Sequence, residues 1–108
     1  AFANTVEAAS IGVSYLDATM LGMGRGAGNC SIEALMGFLK NPKFKILPIL
    51  DFIQNYMLPL KQNGLVWGYD IPYLITGQLN VHPRTAITAI KENDTNYSEF
   101  YKSTWDKE

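Results

Sequence analysis

Four glycines in eight residues, Gly22-Met23-Gly24-Arg25-Gly26-Ala27-Gly28-Asn29, constrain this chain more than any other feature. Glycine at alternate positions weakens both helix and strand, and it lets the backbone approach a ligand or another segment closely. The flanks supply the regular structure. Upstream, Asn4 or Thr5 can cap a first helix in which Val6, Ala8 and Ala9 form the apolar face and Gly12 ends it. Val13 to Ala18 then reads as a short strand, closed by the oxygen-bearing side chains of Asp17 and Thr19. Downstream, Asn29 is placed to cap a second helix with Ile32, Leu35, Met36 and Leu39 at helical spacing, ending before Asn41-Pro42. A loop of this kind at the C-terminal end of a parallel strand is where α/β barrels place their active sites.

Charge and composition exclude other roles. The formal net charge is -1, and no Lys/Arg cluster interrupts that neutrality, so there is no electrostatic case for nucleic acid. The single cysteine, Cys30, rules out an internal disulfide and suits a reducing compartment. No apolar run reaches the roughly 20 residues of a spanning helix, and no basic segment precedes an apolar one at the N-terminus. The expectation is a cytoplasmic source with no membrane partner.

From Asn41 onward the texture changes. Pro42, Pro48, Pro59, Pro72 and Pro83 punctuate short apolar segments. Leu47 to Leu58 reads as a helix with Leu50, Phe52, Ile53, Tyr56 and Met57 facing inward, and Asn63-Gly64 as a turn. Further helices are expected at Ile71 to Leu79, Pro83 to Lys91 and Tyr97 to Trp105, the last carrying a packing stripe of Tyr97, Phe100, Tyr101 and Trp105. The chain should therefore be mainly α, with residues 41–108 forming a small helical domain.

Asn4-Thr5-Val6-Glu7-Ala8, a strand ending in Asp17-Ala18-Thr19, the glycine loop to Asn29 and then Glu33 occur in order at tight spacing. This run resembles the last barrel unit of the metal-dependent aldolase and lyase superfamily that includes 4-hydroxy-2-oxoacid aldolases, isopropylmalate synthases and hydroxymethylglutaryl-CoA lyase. The resemblance implies that residues 1–40 are the end of an eight-stranded TIM barrel, as a helix-strand-helix piece, and that the chain is a C-terminal fragment. It also implies that a metal-binding Asp and an HxH pair lie upstream of Ala1, since His82 is the one histidine here. A second stretch, Leu65 to Ile87 with its Gly68-Tyr69 pair, is similar to the domain that packs over the barrel mouth in 4-hydroxy-2-oxovalerate-type aldolases. Tyr69 there inherits a place near the substrate carbonyl.

Each candidate residue has two readings. Asn29 is a metal ligand or metal-adjacent oxygen for Mn²⁺ or Mg²⁺, as the resemblance implies, or it is simply the helix cap. Asp17 and Thr19 line the site's mouth, or Asp17 serves a turn or ion pair. Gly24, Gly26 and Gly28 open backbone N–H groups to a carboxylate or phosphate, and Arg25 pairs with a substrate carboxylate or with a neighbouring acid. His82 satisfies local backbone or binds a metal, and Cys30 is a small buried thiol or a reactive one at a helix N-terminus, the first reading being favoured for each. The implied activity is metal-assisted aldol cleavage or formation of a C–C bond in a 2-oxoacid such as 4-hydroxy-2-oxovalerate. The alternative is a helical interaction or dimerisation module, and on either reading the helical part suits a homo-oligomer or a partner enzyme.

Two consequences follow for the chain taken alone. Val13 to Ala18 has two unpaired edges, so it should turn irregular or enter an oligomer contact. One Asn and one Asp cannot fill an octahedral shell, so the chain should lack aldolase activity and bind Mn²⁺ no tighter than about millimolar by calorimetry. Micromolar binding would contradict the fragment expectation.

Overall fold

Ser31, rather than Asn29, begins the helix after the glycine loop. Its hydroxyl accepts the Ala34 N–H at 3.4 Å from an extended backbone, and Glu33 adds a negative charge in the first turn. The computed structural model describes residues 1–106 and places seven α-helices among them. These are α1 (Phe2–Ser10), α2 (Ile32–Leu39), α3 (Ile46–Phe52), α4 (Leu58–Gln62), α5 (Ile71–Gln78), α6 (Arg84–Lys91) and α7 (Tyr97–Asp106). The chain divides into two compact units, one ending at Gly68 and one starting at Tyr69. No helix among the described residues is long and apolar enough to cross a membrane.

In the first unit, α1 is capped by neither Asn4 nor Thr5. It starts at Phe2, and Thr5 instead returns its hydroxyl to the Ala1 carbonyl at 3.0 Å. Its expected apolar face, Val6, Ala8 and Ala9, is half-buried. The expected strand at Val13 to Ala18 is absent. The segment is irregular, with Tyr15 92% exposed, because no second strand among the described residues offers its N–H and C=O groups a partner. The β-structure that remains among them is one isolated parallel bridge, Thr19 to Ser31. Irregularity was one of the two outcomes expected for an unpartnered strand.

The helix expected at Leu47 to Leu58 is longer and is not uniform. Pro59 stands in the first turn of α4, where in a regular helix its ring would meet the Asn55 carbonyl. The preceding turn, Ile53–Met57, widens to π geometry and takes up that conflict. The inward line of this rod runs through Ile49, Ile53 and Met57. Met57 is buried and Ile53 half-buried, whereas Leu50, Phe52 and Tyr56, all expected inside, are exposed. The π turn packs against the residues that open the glycine loop, and α3 packs on α2.

The second unit is built on α5, which packs against both α6 and α7. Asp70 caps α5 by accepting the Ile71 N–H at 2.8 Å, and Pro72 occupies the first turn. Ile75, Leu79, Ala86 and Ala89 are buried apolar residues, and the buried Thr76 hydroxyl donates to the Tyr73 carbonyl at 3.1 Å. In α7, Thr104 is buried and Tyr97 and Phe100 half-buried, while Tyr101 and Trp105 stack on each other in solvent with centroids 6.3 Å apart.

Two substitutions on α2 should move stability in opposite directions. Ser31→Ala removes the cap and should cost about 1 kcal/mol in urea unfolding. Gly37→Ala lies inside the same helix, and a Cβ there meets nothing within 4 Å, so it should gain about 0.5 to 1 kcal/mol.

Candidate functional site

The glycine loop closes on itself. The Asn29 N–H donates to the Gly22 carbonyl at 2.8 Å and the Gly28 N–H to Arg25 at 3.2 Å, while Gly22 and Met23 donate back to Thr19 and Met20 at 3.1 Å each. The bridge below it is tight: Thr19 N–H to Cys30 and Ile32 N–H to Thr19, both 2.8 Å. This tight return requires glycine at position 28. Gly28 has φ +82, and a Cβ on it would fall against the Gly22 carbonyl oxygen.

Leu21 carries the strain at the loop's entrance. It is a non-glycine residue with φ 54 and ψ 19, a left-handed conformation that costs roughly 1 to 2 kcal/mol. Three contacts offset this. Both carboxylate oxygens of Glu33 accept the Leu21 N–H at 3.1 Å, and the Trp67 indole N–H donates to the Leu21 carbonyl at 2.9 Å. Glu33 is itself held by the Ser31 hydroxyl at 2.6 Å. At about 1.5 to 3 kcal/mol for a charged partner and about 1 for a neutral one, these bonds outweigh the strain.

The folded loop brings Asp17, Thr19 and Asn29 onto one open recess of about 470 Å³, together with Asn4, Thr5 and the buried Cys30. Asp17 and Asn29 are exposed and Thr19 is half-buried. The Asn29 amide nitrogen donates to the Met23 carbonyl at 3.0 Å, and the Thr19 hydroxyl donates to the same oxygen at 2.8 Å. The Asn29 side-chain oxygen is thus the end left for a ligand. These hard oxygen donors suit Mg²⁺ or Mn²⁺, but no group of three or more His, Cys, Asp or Glu that could hold a metal occurs among the described residues.

The other candidates lie apart from the recess. Arg25 is exposed at the loop's tip and pairs with no carboxylate among the described residues, so the neighbouring-acid reading gains nothing here. Gly24 backs onto the Asn29 side chain, and Gly26 accepts the Gly68 N–H at 3.0 Å. With Gly22, Met23, Gly28 and Asn29 N–H groups used inside the loop, any anion cradle is confined to the tip from Gly24 to Ala27. Tyr69 is 73% exposed at the start of the second unit. His82 accepts the Arg84 N–H on Nδ1 at 3.1 Å, the local role expected of it.

The sequence-based expectation missed Ser31 as the cap, Glu33 as a loop anchor and Trp67 as its counterpart. Glu33 was visible as the last member of the motif, without its role. Trp67 had no local signal, being 46 residues from the peptide it binds.

The HMGL-like family model matches residues 1–56, which include the whole loop and the recess. The chain belongs to the HMGL-like family. Among curated relatives, the oxaloacetate decarboxylase of Mycobacterium tuberculosis is 55% identical over 40 residues, covering 37% of this chain and 12% of that protein. The 4-hydroxy-2-oxovalerate aldolase of Thermus thermophilus is 36% identical over 64 residues, covering 56% of this chain and 18% of that protein. The HMGL-like chain thus spans under a fifth of the length of either. No solved structure gives a significant match.

Gly28→Ala should destabilise the first unit by about 1 to 3 kcal/mol, from the left-handed strain together with the clash. Gly64→Ala is the comparison, because φ there is +99 but the space is open. Urea unfolding should show the larger loss at Gly28, and equal losses would mean the loop yields freely.

Proposed function

We propose that this HMGL-like chain is the C-terminal part of a divalent-metal-dependent lyase that cleaves or forms a C–C bond in a 2-oxoacid such as 4-hydroxy-2-oxovalerate. Residues 1–40 would be the last helix-strand-helix unit of its TIM barrel, and residues 41–108 its helical extension. One observation carries the proposal: Asp17, Thr19 and Asn29, three oxygen-bearing side chains of the family motif, share one recess. The names of the two relatives, a decarboxylase and an aldolase acting on 2-oxoacids, support the substrate class.

Asn29 would hold Mn²⁺ or Mg²⁺ together with ligands from outside this chain, with Asp17 and Thr19 lining the mouth of the recess for the substrate. When bound, that ion supplies Lewis-acid polarisation of the substrate ketone. The chain's own residues do the rest. Thr19 and Asn29 share the Met23 carbonyl, which fixes both side chains at the recess without a rotamer search on binding. Arg25 offers a planar fork to the substrate carboxylate. Tyr69 enters on the Gly68-Tyr69 motif, as a hydroxyl for the carbonyl. A homo-oligomer or partner enzyme belongs to the proposal through the helical part, and a cytoplasmic location through the lone cysteine.

A non-catalytic interaction module remains the second reading, favoured by the exposed apolar side chains of Phe44, Leu47, Leu50, Tyr56 and Leu58.

Kinetics of the longer protein should separate the two. Arg25→Lys should raise KM for the 2-oxoacid about tenfold, the equivalent of one charged hydrogen bond, with kcat little changed. Asn29→Ala should lower kcat by at least tenfold while costing under about 1 kcal/mol of stability, because Ser31 and not Asn29 caps α2. Tyr69→Phe should lower turnover with unchanged thermal stability. Unaltered kinetics in all three would favour the interaction module.

A further inference from the structure

Leu21 is gripped through both of its flanking peptide groups, and one grip comes from beyond the segment that the family model matches. The matched residues end at 56, whereas Trp67 is 7% exposed and donates to the Leu21 carbonyl at 2.9 Å. The next residue, Gly68, donates its N–H to Gly26 at 3.0 Å, on the far side of the loop. Met57, the last residue of the π turn that packs on the loop entrance, is also buried. Lys61 places its ammonium 4.7 Å from the Trp67 ring centroid, a cation–π contact that steadies the indole from its outer face. Residues 57–68 therefore form a brace under the glycine loop.

What the brace controls is orientation. Left-handed φ at Leu21 sets the direction of the following Gly22 carbonyl, which receives the Asn29 N–H and so determines where Asn29 stands. The Met23 carbonyl one residue further on holds both the Thr19 hydroxyl and the Asn29 amide. Were Leu21 to relax to the ordinary right-handed region, both carbonyls would turn, and Thr19 and Asn29 would lose their common anchor. Glu33 holds the Leu21 N–H, in the peptide plane before its Cα, and Trp67 holds the Leu21 C=O, in the plane after it, so the two together fix the Leu21 dihedrals and neither alone does.

We propose that Trp67 and Glu33 are positioning residues of the recess, locking the backbone on both sides of Leu21 so that Asn29 and Thr19 are held ready for a cation and a 2-oxoacid. The ligand class rests on the function proposed above; the locking does not. Neither residue touches the ligand. They act through Leu21, Gly22 and Met23.

The test uses the 108-residue chain labelled with ¹⁵N. Amide exchange is followed at Leu21 and Asn29, and the probe is Mn²⁺ with pyruvate at millimolar concentration, read as paramagnetic broadening. Trp67→Phe keeps an aromatic ring and deletes the indole N–H. Exchange at Asn29 should rise at least tenfold, amides of α5 and α6 should not change, and selective broadening of Thr19 and Asn29 should spread or vanish. Glu33→Gln retains an oxygen for the Leu21 N–H and should restore part of the pattern that Glu33→Ala loses. Trp105→Phe, an exposed ring on α7, is the control and should leave all of it unchanged. Should Trp67→Phe fail to fold, the Glu33 pair decides. Wild-type exchange at Asn29 in Trp67→Phe, or equal effects of Glu33→Gln and Glu33→Ala, would overturn the proposal. Lack of selective broadening in the wild-type chain would instead sink the metal reading, with the locking still judged by the exchange rates.

Discussion

The left-handed turn at Leu21 is tolerated because its N–H and its carbonyl are each bound by a side chain from elsewhere in the first unit. A residue held through both flanking peptide groups is a fixed point from which the rest is laid out. Gly22 follows and receives Asn29, and Thr19 bridges to Ser31 beneath them. Ser31 in turn starts α2 and secures Glu33, which is one of the two grips. Loop, helix cap and anchor thus form one closed circuit of hydrogen bonds. Its members cannot be assigned separately to structure or to site.

The elements that surround this circuit are short. Helices of five to ten residues are marginal by themselves, since so few internal bonds must offset the cost of nucleation. They persist by packing, and in the first unit that packing is partial. A cleft of about 610 Å³ runs between the irregular segment and α2, walled by Val13, Leu16, Leu35, Met36, Phe44 and Ile49. The oxygen-lined recess and the apolar cleft share Asp17 and Ala18, so one short irregular segment borders both.

Helix positions were legible wherever a local signal was strong. Proline in a first turn and apolar residues at helical spacing located α2, α5, α6 and α7 to within a few residues. Asp17, Thr19 and Asn29 were legible as companions because the motif sets them at fixed distances along the chain, and they do meet on one recess. What stayed hidden was decided by distant partners. Val13 to Ala18 has the composition of a strand, but strand form depends on a neighbour that composition does not reveal. The cap fell to Ser31 because the backbone from Gly28 to Cys30 is spent on closing the loop and bridging Thr19. Leu50, Phe52 and Tyr56 face outward because the inward line along the rod from α3 through the π turn runs through Ile49, Ile53 and Met57.

That widened turn sets the phase of everything after it. Each residue of an α-helix advances the side-chain direction by about 100°, so a turn that holds one residue more than usual rotates α4 relative to α3 without any break in the rod. Met57 is directed inward, and the chain leaves α4 on a heading that returns Trp67 to the loop. In this chain the length of one helical turn acts as an angular setting, and a lineage that gained or lost a single residue between Ile53 and Met57 would have had to rebuild the far side of its glycine loop.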